Sequence, residues 1–205
     1  MPLFAACLMM ASCGASSPKP TEIAPKVSEN PAKTPVETYG KLDTATFAGG
    51  CFWCEEGIFE RLKGVKEVVS GYAGGHTANP TYREVCSHTT GHTETVQIYY
   101  DPAQISYKTL LEVYFGSMDP TQVNGQGNDR GDSYRSVIFY KNESERADAE
   151  AYKKELGESG KFAAPIAVII QPLTPFYMAE EYHQNYERNN PDDPYVQAVS
   201  VPRIK

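Results

Sequence analysis

The stretch "GGCFWCEE" places two cysteines, Cys51 and Cys54, three positions apart after a pair of glycines. Two thiols at this spacing can bind a metal, exchange disulfides, or pair an attacking thiol with a second thiol that regenerates it. Two large aromatic residues, Phe52 and Trp53, lie between them. The rest of the chain must supply the ligands, acids or partners that each chemistry requires.

A zinc site is one interpretation of these cysteines. Cys51, Cys54 and Cys86, with either His88 or His92, provide four ligands by count. Structural zinc usually couples two tight pairs of ligands. The second half here is only a Cys-x-His, and Phe-Trp is awkward in a knuckle turn, so the spacing disfavours zinc.

A thioredoxin-like disulfide exchanger is a second interpretation. That chemistry uses a Cys-x-x-Cys pair at a strand-to-helix junction, because the helix N-terminus stabilises the leading thiolate. The sequence predicts such a junction. Thioredoxins, however, carry their tryptophan before the first cysteine, whereas Trp53 lies between the two.

A cysteine nucleophile with a resolving partner is the third interpretation. Cys51 follows a glycine pair at a predicted helix start, where free N–H groups favour thiolate, the attacking form of cysteine. Phe52 and Trp53 are adjacent and cannot both point into one helical stripe. At least one of them is therefore expected to line a pocket or the surface.

Composition limits the classes of function. The 205-residue chain has a formal net charge of -7 and no stripe of Lys and Arg, which disfavours a nucleic-acid partner. Its hydrophobic fraction of 40% and charged fraction of 22% are typical of a globular protein. The cysteine count of five is odd, so at least one thiol is outside any intramolecular disulfide.

The N-terminal residues predict export rather than fold. Residues 1–13, "MPLFAACLMMASC", are apolar but too short for an ordinary membrane-spanning helix. Their end, Met10 to Cys13, resembles a bacterial lipoprotein box, in which Cys13 would be lipidated. We expect a lipid anchor in the cell envelope, facing the periplasm or extracytoplasmic side. The basic residues that normally begin a signal are missing, which suggests that the recorded start codon lies inside a longer signal. The alternative is a fortuitous apolar leader on a cytoplasmic protein.

Residues 14–40 contain five prolines and few apolar residues, which predicts a disordered tether. From residue 41 to 205 strands and helices alternate, which predicts one α/β domain. The predicted strands are Thr44–Ala48, Val65–Tyr72, 92–100, Tyr134–Tyr140 and Ile166–Ile170. The predicted helices are Phe52–Leu62, Ser106–Gly116, Asn142–Leu156 and Tyr177–Tyr186. Long connections cover 76–90 and 119–132, and the tail is predicted to be irregular.

Four long motifs resemble class A peptide methionine sulfoxide reductases. They are "GGCFWCEEGIFERLKGVKEVVSGYAGG", "NPTYREVCSHTTGHTETVQIYYDP", "GQGNDRGDSYRS" and "AEEYHQNY". They occur in the family's order and cover nearly all of residues 45–187. The resemblance implies an α+β two-layer sandwich around a ferredoxin-like split βαβ core.

The resemblance implies that Cys51 attacks the sulfur of methionine S-sulfoxide, free or within proteins. A sulfoxide oxygen leaves only when protonated, and Glu94 matches the family's acid. A carboxyl in a partly apolar pocket keeps its proton to higher pH. Tyr82 and Tyr134 match the two hydroxyls that bind the sulfoxide oxygen, and Asp129 matches a residue that positions the substrate and the pocket.

Phe52 and Trp53 match the apolar cage around the substrate's S-methyl group. Such a cage rejects the opposite sulfoxide epimer sterically, so the resemblance implies selectivity for one epimer.

After methionine leaves, Cys51 is a sulfenic acid that condenses with a second thiol. Many relatives keep resolving cysteines in a C-terminal tail, but this tail, "NNPDDPYVQAVSVPRIK", has none. Cys54 and Cys86 remain as candidates. We assign resolution to Cys54, which needs little backbone motion, and expect Cys86 to be packed away. Thioredoxin or a similar dithiol would reduce the disulfide of a monomeric enzyme, with no other cofactor and no metal.

Overall fold

A six-stranded mixed sheet forms the centre of the protein, as seen in a computed structural model that describes residues 42–203. The predicted signal, Cys13 and the tether lie outside the described residues. The sheet strands are β1 (Asp43–Ala48), β2 (Val65–Ala73), β3 (Thr93–Tyr100), β6 (Val137–Tyr140), β7 (Ile169–Pro172) and β8 (Tyr177–Met178). Their order is β7-β6-β1-β3-β2-β8, and only β6 and β7 are parallel. A separate small hairpin pairs β4 (Gly125–Gln126) with β5 (Asp129–Arg130).

Helices pack against this sheet. They are α1 (Phe52–Phe59), α2 (Tyr82–Cys86), α3 (Tyr107–Gly116), α4 (Glu143–Glu158), α5 (Tyr186–Asn189) and α6 (Val201–Arg203). Helix α1 contacts β2 and β3, α3 contacts β1, and α4 contacts β6 and β7. The predicted α/β class is therefore confirmed. No helix within residues 42–203 has both the length and the apolar character needed to cross a bilayer.

The main core lies between the sheet and the helices. Phe47 of β1 contacts the rings of Phe59 and Tyr114, and all three side chains are fully buried. Burying side chains of this size contributes roughly 2 kcal/mol each. The Tyr114 hydroxyl also donates a 2.7 Å hydrogen bond to the carbonyl of Ala48, so α3 holds the end of β1 in place.

Sequence periodicity located most elements but missed short ones. Asn142 caps α4 as predicted, accepting from the Glu145 N–H at 2.9 Å. The connection 76–90 contains α2, whose start is closed by a capping box between Thr81 and Glu84. The predicted strand from Tyr134 begins later, because residues 132–134 form a 3-10 turn.

Two predicted elements near the C-terminus are wrong. The predicted helix Tyr177–Tyr186 is instead β8, a 3-10 turn at 181–183 and the start of α5, because Tyr177 and Met178 pair with β2. The predicted buried strand Ile166–Ile170 lies later, at β7, and Ile169 is 42% exposed on the sheet edge. The tail is not irregular, since residues 196–200 form a π-helical turn that continues into α6.

Candidate active site

The sharp turn between β1 and α1 presents Cys51. Gly50 has a φ of +97°, a backbone conformation that side chains disfavour, and a Cβ there would lie 2.7 Å from the Cβ of Gln126. Cys51 follows as the N-cap residue of α1. The glycine pair therefore lets the chain reverse and bring Cys51 against the sheet.

Cys51 and Cys54 are both buried and unbridged, and the Cys51 thiol hydrogen-bonds the sulfur of Cys54. The Cys54 Sγ also lies 2.9 Å from the hydroxyl of Ser200 and 4.0 Å from that of Tyr195. The structure thus brings together the two thiols that the sequence singled out, and covers them with the C-terminal segment, which we define as residues 190–203.

Glu94 projects from β3 to the start of α1. Its Oε2 accepts the backbone N–H of Phe52 at 3.0 Å, and the side chain is buried. Burial raises the pKa of Glu94 to about 8, with a contribution from the charge of Asp129, although the Phe52 N–H opposes the rise. The carboxyl therefore keeps its proton at neutral pH, as the predicted proton donor requires.

The structure does not favour the expected thiolate on Cys51. Burial raises the pKa of the Cys51 thiol well above its usual value, and its hydrogen bond to Cys54 and the charge of Glu94 add to the rise. The Phe52 N–H at the helix start binds Glu94 rather than the sulfur. It is the pKa of Cys54 that is lowered. The hydrogen bond from Cys51 makes the largest contribution, and the positive charge of Arg203 and a hydrogen bond with Ser200 also lower it.

Tyr82 and Tyr134 lie near Glu94 on two different elements, α2 and the 132–134 turn. Burial and the charge of Glu94 raise the pKa of both phenols, so both remain neutral hydrogen-bond donors. Glu180 fixes the start of α2 by accepting the Tyr82 N–H and the Tyr72 hydroxyl, each at 2.9 Å. The structure therefore brings both predicted tyrosines to the predicted acid.

Asp129 occupies the β4–β5 hairpin, and its Oδ2 accepts the hydroxyl of Tyr195 at 2.7 Å. Tyr195 belongs to the C-terminal segment. Asp129 therefore connects the hairpin to the segment that covers the two sulfurs, a role that its sequence position did not indicate.

Phe52 and Trp53 diverge at the start of α1. Phe52 is fully buried and stacks with Tyr82 at a ring separation of 6.5 Å. Trp53 is only half-buried and stacks on Tyr186 at 3.7 Å with an interplanar angle of 7°. Its indole N–H donates to the Nδ1 of His183 at 3.1 Å. One ring thus faces inward and the other outward, as expected from their adjacency.

Several site residues were missed by the sequence reasoning. Glu180 and His183 belong to the "AEEYHQNY" motif, but no role was attached to them. Burial lowers the pKa of His183 to about 4, so its ring is neutral at physiological pH. Tyr195, Ser200 and Arg203 lie in a tail without cysteines, and nothing in the local pattern of that tail connects them to the site.

Cys86 is not packed away as expected but exposed. It ends the five-residue helix α2, where only Val85 is buried. Its sulfur is hydrogen-bonded by the Tyr82 hydroxyl, which places a third thiol near the edge of the site.

The histidines considered for zinc make other contacts. The Nδ1 of His92 accepts the Gly75 N–H at 3.1 Å, and its Nε2 bonds the carbonyl of Thr77 at 2.7 Å. His88 pairs with Asp132 at 2.7 Å. Within residues 42–203, no group of three or more His, Cys, Asp or Glu side chains is arranged to hold a metal ion.

Comparison with known proteins places the chain in a family. The family model described as peptide methionine sulfoxide reductase matches residues 43–205. Peptide methionine sulfoxide reductase MsrA 1 of Rhodopirellula baltica is 49% identical over 170 residues, covering 83% of this chain and 88% of that protein. Reduced Mxr1 from Saccharomyces cerevisiae is 32% identical, with a TM-score of 0.69 over 75% of this chain and 88% of that one.

The complex of Mxr1 with Trx2 from the same yeast also aligns with the structure. It is 25% identical, with a TM-score of 0.50 over 72% of this chain and 86% of that chain. The family model spans most of the chain, and the curated relative is matched over most of both lengths. This chain therefore belongs to the peptide methionine sulfoxide reductase family of oxidoreductases.

Proposed function

We propose that this chain reduces methionine S-sulfoxide, free and within proteins, with Cys51 as nucleophile and Glu94 as proton donor. The observation that carries the proposal is the 3.0 Å hydrogen bond from the Phe52 N–H to Glu94. Phe52 directly follows Cys51, so this bond seats a protonated carboxyl beside the thiol. A thiol and an acid side by side are what reduction of a sulfoxide needs.

The first step transfers the oxygen. The Cys51 proton passes to Cys54, and the Cys51 thiolate attacks the sulfoxide sulfur while Glu94 gives its proton to the oxygen. The attack forms a bond between Cys51 and the substrate sulfur. The hydroxyl then moves to the Cys51 sulfur while that bond and the substrate's sulfur–oxygen bond break, and methionine leaves with its sulfur reduced. Cys51 keeps the oxygen as a sulfenic acid. The hydroxyls of Tyr82 and Tyr134 donate to the oxygen during this step.

The second step forms the disulfide. The Cys54 sulfur attacks Cys51, the bond from Cys51 to oxygen breaks, and the oxygen leaves as water with the Cys54 proton. The water thus contains the two protons of the resting site, one from the pair of thiols and one from Glu94. A dithiol that reduces the disulfide supplies two electrons and two protons, which restore the starting state.

We infer that a thioredoxin-like protein is this dithiol. Support comes from the yeast relative Mxr1, which has been solved in complex with Trx2. The resolving assignment to Cys54 is supported by its hydrogen bond with Cys51 and by the exposed position of Cys86.

Phe52 and Trp53 are proposed to select the S epimer. Phe52 is rigidly packed against Tyr82, and Trp53 is held by its stack on Tyr186. Fixed rings on one side of the sulfur accommodate a methyl group in one orientation only.

A monomer tethered by a lipid on Cys13 to the outer side of the membrane is also proposed. The support is the sequence of residues 10–13 and the proline-rich 14–40. Palmitate labelling of the unaltered chain but not of Cys13→Ser, with a globomycin-sensitive shift in size, would support the anchor. Absence of both signals would contradict it.

Single-turnover assays of cysteine variants test the catalytic proposal. Cys51→Ser should release no methionine. Cys54→Ser should release one methionine per chain and then stall with thioredoxin, whereas Cys86→Ser should turn over like the unaltered chain. A stall in Cys86→Ser instead would transfer the resolving role to Cys86. Reduction of insulin without any sulfoxide requirement would favour a general disulfide exchanger.

A further inference from the structure

The C-terminal segment contributes a polar contact to the buried sulfur of Cys54. Ser200 is completely buried, and its Oγ lies 2.9 Å from the Cys54 Sγ. Tyr195 is farther away, at 4.0 Å, and its hydroxyl proton is donated to Asp129. Ser200 is therefore the hydroxyl of this segment at hydrogen-bond distance from the sulfur, and it must be the donor when Cys54 is an anion, which has no proton to give.

Arg203 supplies a positive charge at the same place. Its Nη2 donates to the carbonyl of Gly49 and its Nε to the carbonyl of Ser117, each at 3.1 Å. These bonds hold the guanidinium beside Cys54, where its side chain is only 15% exposed. A buried cation is strongly favoured when an anion lies next to it.

We propose that Arg203 and Ser200 are positioning residues for the resolving step: they stabilise the anionic form of the Cys54 sulfur that attacks Cys51. The inference rests on the proposed function, in which Cys54 attacks oxidised Cys51. In that attack the proton that Cys54 took from Cys51 passes to the oxygen of the sulfenic acid, the Cys54 thiolate so formed bonds to Cys51, the Cys51–oxygen bond breaks, and the oxygen leaves as water. A thiolate attacks far faster than a thiol, so the charge at Arg203 controls the rate.

The other groups around Cys54 do not supply this positive charge. Cys51 and Glu55 of α1 and Glu94 of β3 are acids, and Glu187 of α5 lies beside Ser200. Burial raises the pKa of Glu55 to about 7 and that of Glu94 to about 8, so at neutral pH Glu94 is mostly protonated and Glu55 is partly protonated. Glu55 lies 3.8 Å from the Arg203 Nη2, so the guanidinium faces both this carboxyl and the sulfur, and protonation of Glu55 leaves its charge to the sulfur.

The test follows resolution in a single turnover of the full chain with methionine S-sulfoxide and no thioredoxin. Arg203→Met, Arg203→Lys and Ser200→Ala are compared with Arg188→Met, which removes an exposed arginine of α5. Methionine release is measured together with dimedone trapping of the sulfenic acid and the rate of disulfide formation. Ultraviolet absorbance of thiolate is titrated for each variant and for Cys54→Ser, which identifies the Cys54 contribution.

Arg203→Met should still release one methionine per chain but form the disulfide about tenfold or more slowly at neutral pH, because loss of an adjacent opposite charge shifts a pKa by about 1 to 3 units. Dimedone should then trap Cys51. Higher pH should restore the rate, and Arg203→Lys should retain most of it. Ser200→Ala should show a smaller slowing, and Arg188→Met none.

Unchanged resolution and an unchanged thiolate titration in Arg203→Met would overturn the inference while leaving the proposed function intact. No methionine from the unaltered chain would overturn the proposed function itself. If Arg203→Met does not fold, the test rests on Ser200→Ala. Disulfide formation as fast as in the unaltered chain over the whole pH range would then contradict the inference.

Discussion

At the scale of single residues, the proposed reaction depends on where two protons reside before the substrate arrives. One proton is shared by Cys51 and Cys54, and the other is on Glu94. Burial raises the pKa of Glu94 to about 8, which keeps it a proton donor at neutral pH. Burial also keeps Cys51 protonated, so its proton must pass to Cys54 before Cys51 can attack.

Glu94→Gln tests the donor. The amide keeps a hydrogen-bonding oxygen but has no acidic proton, so methionine release in a single turnover should slow by about 10²-fold or more. In the unaltered chain, release should fall as pH rises through about 8, because Glu94 loses its proton there. The variant should lack this fall. Glu155→Gln, an exposed carboxyl on α4, is the control; equal rates in both variants would remove the acid role.

At the scale of elements, short segments far apart in sequence assemble the site. Helix α2 has five residues and only Val85 buried, so its own packing positions Tyr82 weakly. Glu180 compensates by joining the Tyr82 N–H to the Tyr72 hydroxyl of β2. The pairing of β8 with β2 in turn brings Glu180 within reach.

Glu180→Gln should loosen α2. The amide has a single acceptor oxygen, whereas the Tyr82 N–H and the Tyr72 hydroxyl each donate to an oxygen of Glu180. A buried donor left without an acceptor costs about 1 to 3 kcal/mol. We expect kcat/KM for methionine S-sulfoxide to fall about tenfold, since about 1.4 kcal/mol corresponds to that factor. The neighbouring, exposed Glu181 gives the matched control Glu181→Gln. If the two variants have the same kcat/KM, Glu180 does not position Tyr82.

At the scale of the whole molecule, a chain of net charge -7 buries several of its carboxyls around α1. Glu55, Glu56, Glu94 and Glu187 all have a pKa raised by burial. Such groups are protonated in both the folded and unfolded states at low pH. As pH rises, the unfolded chain ionises first, so these carboxyls reduce stability progressively until the folded pKa is reached.

Glu55→Gln should reveal this dependence. The pKa of Glu55 rises from 4.5 to about 7, so the variant should gain stability relative to the unaltered chain between those pH values. The expected gain is on the order of 3 kcal/mol. Urea unfolding under reducing conditions at several pH values measures it, with the exposed Glu112→Gln of α3 as control. A pH-independent difference would show that Glu55 is ionised in the fold.

The sequence by itself identified the family and the residues of the proposed chemistry: the sulfur pair, the acid Glu94 and the tyrosines lie in long motifs. It also located β1, α1, β2, β3, α3 and α4, because apolar periodicity and capping are local properties. It could not locate β8 or α5, since their conformations follow from pairing with β2 and from contacts with α1.

Only the tertiary structure decided the charge on each sulfur. The local sequence indicated thiolate on Cys51 because a helix starts there, but Glu94 takes the helix N–H and burial keeps Cys51 protonated. Ser200 and Arg203, about 150 positions along the chain, lie next to Cys54 and lower the pKa of that thiol rather than of Cys51. Electrostatic environment is a property of what surrounds a group in space, and the fold alone brings that segment to the sulfur.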